Sequence, residues 1–94
     1  MSFQLSMLKI LAGQPDGRAS IEVVKQHLAI YYSSGSEWPA RMKRVASRAP
    51  QLDIFGQGLI EREACCWIIT EEGRKVLETL EQLDRIVMRA QAQR

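Results

Sequence analysis

Between Pro39 and Arg48 stand Arg41, Lys43, Arg44 and Arg48, with no Asp or Glu among them. Guanidinium and ammonium groups gathered on one short segment do one kind of chemistry well: they displace condensed counterions from phosphates. Arg44 and Lys43 could also reach the acceptors of guanine, which arginine and lysine fit, and Ser47 adds a hydroxyl. Four phosphate contacts would give a log–log salt slope of about −3.6 per subunit, at roughly −0.9 each. The plainer reading of the same residues is a solvated helix face.

The other reactive side chains form no catalytic set. Cys65 and Cys66 are the only cysteines and are adjacent. They lack the CxxC spacing of a metal or redox motif and cannot build a secreted-type disulfide framework, so they read as reduced structural thiols, with a redox-sensing thiol as the alternative. His27 is the single histidine. Nothing in the sequence marks a nucleophile or acid to work with it, and it sits beside an apolar helix stripe rather than within it. Gly13-Gln14-Pro15-Asp16-Gly17 has neither the spacing nor the Lys-Ser/Thr of a phosphate loop. The acids near the C-terminus alternate with bases, the pattern of i,i+4 pairs on a solvated helix. The expectation is a protein that is not an enzyme and needs no metal or cofactor.

The chain is expected to form one domain over 1–94. Its 94 residues are 46% hydrophobic and 26% charged, a globular composition near the lower size limit for a self-sufficient core. Net charge is only +2, so the surplus at Arg41–Arg48 is local. Leu5, Met7, Leu8, Ile10 and Leu11 resemble a leader peptide, but no basic residue precedes them and Ser6 and Lys9 interrupt them. No apolar run is long enough to span a membrane. Cytoplasmic location is the expectation.

These residues need elements to position them. Phe3, Met7, Ile10 and Leu11 recur at helical spacing and predict a first helix over about Phe3–Ala12, stopped by Gly13 and Pro15. Ser20 can cap a second helix with the stripe Ile21, Val24, Leu28 and Tyr31. Arg18-Ala19 is a candidate short strand. A third helix over 37–49 carries Pro39 in its first turn and ends before Pro50. Trp38, Met42, Val45 and Ala49 share its core face, Lys43 and Ser47 point outward, Arg44 lies opposite the core, and Arg41 and Arg48 flank the apolar stripe. In the loop from Gln51 to Gly58, Phe55 is expected to lie under the hairpin as a core plug, with Gly56 and Gly58 giving backbone freedom.

Leu59–Glu63 and Cys66–Ile69 alternate as two strands joined by almost nothing, and Thr70 then caps a long helix reaching at least Met88. Ile69, Val76, Leu80, Leu83, Val87 and Ala90 follow heptad spacing, longer than a three-helix core requires. Burying four such side chains would contribute roughly 1.5–3 kcal/mol each before ordering costs. The segment 76–94 is therefore expected to join two chains, through Val76, Leu80, Leu83 and Val87.

The run GLIERE, a tight turn and WIITEEGRKVL resemble the winged helix-turn-helix superfamily, most closely its small bacterial MarR, PadR and Mrr N-terminal-like domains. The likeness covers about Ser20–Leu80. It implies a mainly α fold with a small β-hairpin wing, in the order α-α-α-β-β-α with a long C-terminal helix. It also implies that the helix carrying Arg41, Lys43, Arg44, Ser47 and Arg48 enters the major groove of double-stranded DNA, assisted by Arg62 from the wing.

The reading is then a homodimeric DNA-binding regulator of transcription, with operator and effector not legible. One alternative is an interaction module that kept the scaffold and lost DNA binding, which the low net charge and Glu61 and Glu63 favour. Another is the targeting domain of a larger nuclease-like protein, against which the chain length argues.

Overall fold

The computed structural model describes residues 3–92. The first two and last two residues, including the end of the segment 76–94, lie outside it. Helix α1 spans Phe3–Ala12 and is followed by a 3₁₀ turn at Pro15–Gly17 and strand β1 at Arg18–Ala19. Helices α2 (Ile21–Ser33) and α3 (Glu37–Ala46) come next, then β2 (Ile60–Arg62), β3 (Trp67–Ile69) and α4 (Glu71–Ala92). The three short strands form one antiparallel sheet in the order β1-β3-β2. The candidate strand at Arg18-Ala19 is therefore present, with Arg18 opposite Ile68 and Ala19 opposite Trp67.

Local chemistry sets the helix starts. Ser20 accepts a hydrogen bond from the Val23 backbone N–H at 3.3 Å and so caps α2. Thr70 does the same for α4, accepting from the Gly73 N–H at 3.0 Å. Its hydroxyl also lies 2.7 Å from the Gly58 carbonyl and 3.0 Å from that of Leu59, tying the helix start to the entry of β2. Gly73 is needed because a Cβ there would run into the Leu59 carbonyl and come within 2.8 Å of Ile69. Gly58 has φ +69°, the left-handed backbone that turns the chain into β2.

The core gathers Leu5, Leu8 and Leu11 of α1, Val24, Met42 and Val45, and the sheet residues Ile60 and Ile69, which face each other across β2 and β3. The α2–α3 pair is held by Tyr31 stacked on Trp38, ring centroids 4.0 Å apart. The Trp38 indole N–H also donates to the buried Ser6 hydroxyl at 3.3 Å.

Three expectations about the fold are corrected. The residue from the long loop that plugs the core is Ile54, fully buried, and not Phe55, which is 37% exposed. Ile54 is fixed by its backbone: its N–H donates to the Gln4 side chain and its carbonyl accepts from the Leu59 N–H, so its neighbour is turned outward. Phe55 instead meets Trp67 edge-on at 5.5 Å and lies under Arg62. Helix α3 ends at Ala46, earlier than Ala49, because the Arg48 and Ala49 amides take i−3 carbonyls and tighten the chain ahead of Pro50. The hairpin strands are also shorter than the alternation suggested, β2 by one residue at each end and β3 by one at its start.

Candidate nucleic-acid interface

Helix α3 is anchored by Met42 and Val45, each 1% exposed, with Trp38 and Ala49 packed partly against the core. The opposite side is solvent-facing at Ala40, Lys43 and Ser47. The Lys43 side chain makes no ion pair or hydrogen bond among the described residues, so its ammonium is available to an anion.

The three arginines of this segment are not free, which corrects the expectation that they simply present donors to solvent. Helix α4 lies beside α3 and turns Glu81 and Asp84 toward it. Arg44 holds Asp84 with a two-pronged contact, Nε to both carboxylate oxygens at 3.0 and 3.2 Å and Nη2 to Oδ2 at 3.1 Å. Arg48 donates to the same carboxylate at 3.2 Å. Arg41 reaches Glu81 at 3.0 Å, and Lys9 of α1 reaches Glu81 at 2.6 Å. Asp84 is only 5% exposed. The Arg44 guanidinium, helped by Arg48, holds its carboxyl below the usual aspartate range, outweighing the opposing effect of burial. The same contact with Asp84 raises the pKa of Arg44.

Two consequences follow for the proposed contacts. Among the described residues Lys9, Arg41, Arg44 and Arg48 share only Glu81 and Asp84, so four cations meet two carboxylates and the cluster stays positive. The cations also differ in access: the side chains of Arg41 and Arg44 are 45% and 38% exposed, that of Arg48 only 20%. The Nε of Arg48 is buried without a hydrogen-bond partner. Arg48 is thus spent within the fold. Ser47 is exposed, but its hydroxyl donates to the Arg44 carbonyl at 2.6 Å, so its proton is engaged.

Sequence reasoning missed Asp84, Glu81 and Lys9. A signal existed: Gly73, Leu77, Leu80 and Asp84 recur at helical spacing, and an acid occupies the last position of a buried stripe. A buried acid demands a cation, and Arg44 and Arg48 were the candidates.

On the hairpin, Arg62 is exposed, its guanidinium 4.3 Å from the centre of the Phe55 ring, a cation–π contact that orients it. Glu61 and Glu63 flank it, and Glu63 lies 4.0 Å from Arg18 across the sheet. Cys65 and Cys66 are joined to each other by a disulfide, which corrects their reading as reduced thiols. His27 has a structural explanation. Its Nδ1–H donates to the Val23 carbonyl at 2.9 Å, leaving Nε2 to accept from the Gln14 amide at 3.5 Å.

The residues expected to join two chains divide. Leu80 is buried in its own core at 7% exposure and is not open to a partner, while Val76 is half-buried, packed partly against that core. Leu83 is 45% exposed and Val87 half-buried; Ile86 and Met88 are further exposed apolar residues that the heptad reading passed over.

The class of protein defined here is a small, mainly helical domain, with four α-helices and a three-stranded antiparallel sheet among the described residues. No helix is long and apolar enough to cross a membrane, among the described residues. No family model, curated protein or solved structure matches the chain.

Proposed function

We propose that this chain is a winged-helix domain that binds duplex DNA through the outer side of α3. Lys43 and the exposed ends of Arg41 and Arg44 take phosphates, and Arg62 reaches a neighbouring phosphate from the β2–β3 hairpin. The observation that carries the reading is the excess charge among the described residues, four cations around two carboxylates with a Lys43 beside them that pairs with none of those residues. Element order supports the scaffold: a helix pair, then a hairpin whose return strand is central in a three-stranded sheet with β1. In this role Asp84 is a positioning residue. It fixes the Arg44 guanidinium in one orientation, which lowers the ordering cost of a phosphate contact. Arg48 and Ser47 drop out of the contact set. The domain would act in the cytoplasm as a dimeric regulator of transcription.

Three phosphate contacts from α3 give a salt slope of about −2.7 per subunit, and about −3.6 with Arg62. The test is duplex binding by fluorescence anisotropy across a salt series, for wild type, Lys43→Ala and Arg62→Ala. Each variant should weaken binding on every duplex and flatten the slope by about 0.9. Wild-type binding that is absent at low salt, or indifferent to both changes, defeats the reading.

A second reading has its own observation. Three of the four cations of the segment are bonded to α4 carboxylates, and α4 exposes Leu83, Ile86 and Met88. A scaffold used only for protein–protein contact would look like this. It is favoured if the chain self-associates through α4 while duplex binding is absent.

A further inference from the structure

We propose that Cys65 and Cys66 form a reversible dithiol–disulfide site at the tip of the β2–β3 hairpin, exchanging with small-molecule thiols and disulfides. The proposal stands whether or not α3 meets DNA. The two sulfurs are bonded in the structure, between residues adjacent in the chain. Three features set this pair apart from a structural staple.

The first is that the bond adds little constraint. Cross-links stabilise mainly by closing long loops in the unfolded chain, and neighbouring residues are already tied by their peptide bond. The second is that the tip closes without the sulfurs. The Glu63 N–H donates to the Cys66 carbonyl at 2.8 Å, and Arg62 stands opposite Trp67 in the ladder. Opening the disulfide therefore leaves both thiols on the same turn, ready to close again. The third is access. Glu63, Ala64 and Cys65 are exposed and Cys66 is half-buried, so the pair lies at the surface, within reach of a reagent. A disulfide of this kind in a cytoplasmic protein is transient and redox-sensing rather than structural.

A thiolate of a small dithiol attacks the Cys65 sulfur, the sulfur–sulfur bond breaks, and the electron pair leaves on Cys66. The second thiolate of the reductant then attacks its own sulfur in the mixed disulfide and releases Cys65. Both cysteine thiolates take up protons, and the reductant leaves as a cyclic disulfide, having supplied two electrons. Oxidation is the reverse, with that cyclic disulfide as electron acceptor. Trp67 follows Cys66 directly and rests against Phe55, so its emission reports the state of the pair, because a nearby disulfide quenches an indole.

The experiment uses the full chain equilibrated in reduced and oxidised dithiothreitol mixtures, quenched with an alkylating reagent and read by intact mass. Trp67 emission is followed in a Trp38→Phe background, with Cys65→Ser/Cys66→Ser as the control. The expected oxidised product is a monomer lighter by two hydrogens and free of label, and the reduced product carries two labels. The two interconvert over repeated cycles, emission changes in step, the control stays constant, and both states melt within a few degrees of each other. The proposal is overturned if both thiols remain labelled under full oxidation, or if oxidation gives only disulfide-linked dimers. Unfolding of the chain on reduction would overturn it as well, by making the bond a staple.

Discussion

Asp84→Asn is the most informative single change, because it alters charge at one buried atom pair and nothing else in size. The carboxylate is 5% exposed and accepts hydrogen bonds from both Arg44 and Arg48. An asparagine keeps one acceptor oxygen but turns an amide N–H₂ toward the guanidinium donors, and it leaves the two cations packed together with no negative charge between them. Removing one partner of a fully buried pair costs about 3–5 kcal/mol, whereas a surface pair is worth about 0–1. Here the acid is buried while its partners are 38% and 20% exposed, so the cost is intermediate, about 2 kcal/mol. A domain of this size holds roughly 5–14 kcal/mol in total, and each kcal/mol moves Tm by about 4–8 °C. The expected fall is therefore about 8–16 °C, read by circular dichroism at neutral pH.

The pH dependence gives a second reading of the same interaction. The folded-state pKa of Asp84 is lowered, so its contribution is complete above the ordinary aspartate range and is lost as pH falls through the lowered value. The gap between wild type and Asp84→Asn should thus be constant from neutral pH down to about 4 and narrow below it. A variant within about 2 °C of wild type, or a gap that widens in acid, refutes the claim that α4 holds the arginines of α3.

Further outcomes test the remaining assignments. Ile54→Ala should cost about 2–5 kcal/mol by denaturant melts and Phe55→Ala markedly less, since only Ile54 is fully buried. Gly73→Ala should fold poorly or melt far below wild type, because the new methyl group meets the Leu59 carbonyl across the α4–β2 contact. Leu83→Glu/Ile86→Glu should leave Tm nearly unchanged while abolishing self-association in sedimentation velocity, whereas Leu80→Ala should lower Tm by loss of core.

Much of the fold could be read from the chain because the rules involved are local. Helical spacing located α1 and α2, the hydroxyls of Ser20 and Thr70 marked helix starts, and alternation of side chains found the hairpin. Even the two-residue β1 was legible, since Arg18-Ala19 sits between a Gly-rich turn and a cap. The exchange of Ile54 for Phe55 was not. Both are apolar neighbours in one loop, and only hydrogen bonds to Gln4 and Leu59, remote in sequence, decide which side chain turns inward.

By itself the sequence determined the order of elements, the apolar stripe that anchors α3, and the presence of a basic cluster on its other sides. Which of those cations face solvent was decided only when α4 lay alongside α3. That packing brings Asp84 against Arg44 and Arg48, residues separated by 40 and 36 positions in the chain. Spacing along a helix sets the direction of a side chain, but the fate of its charge depends on what a distant helix places in front of it.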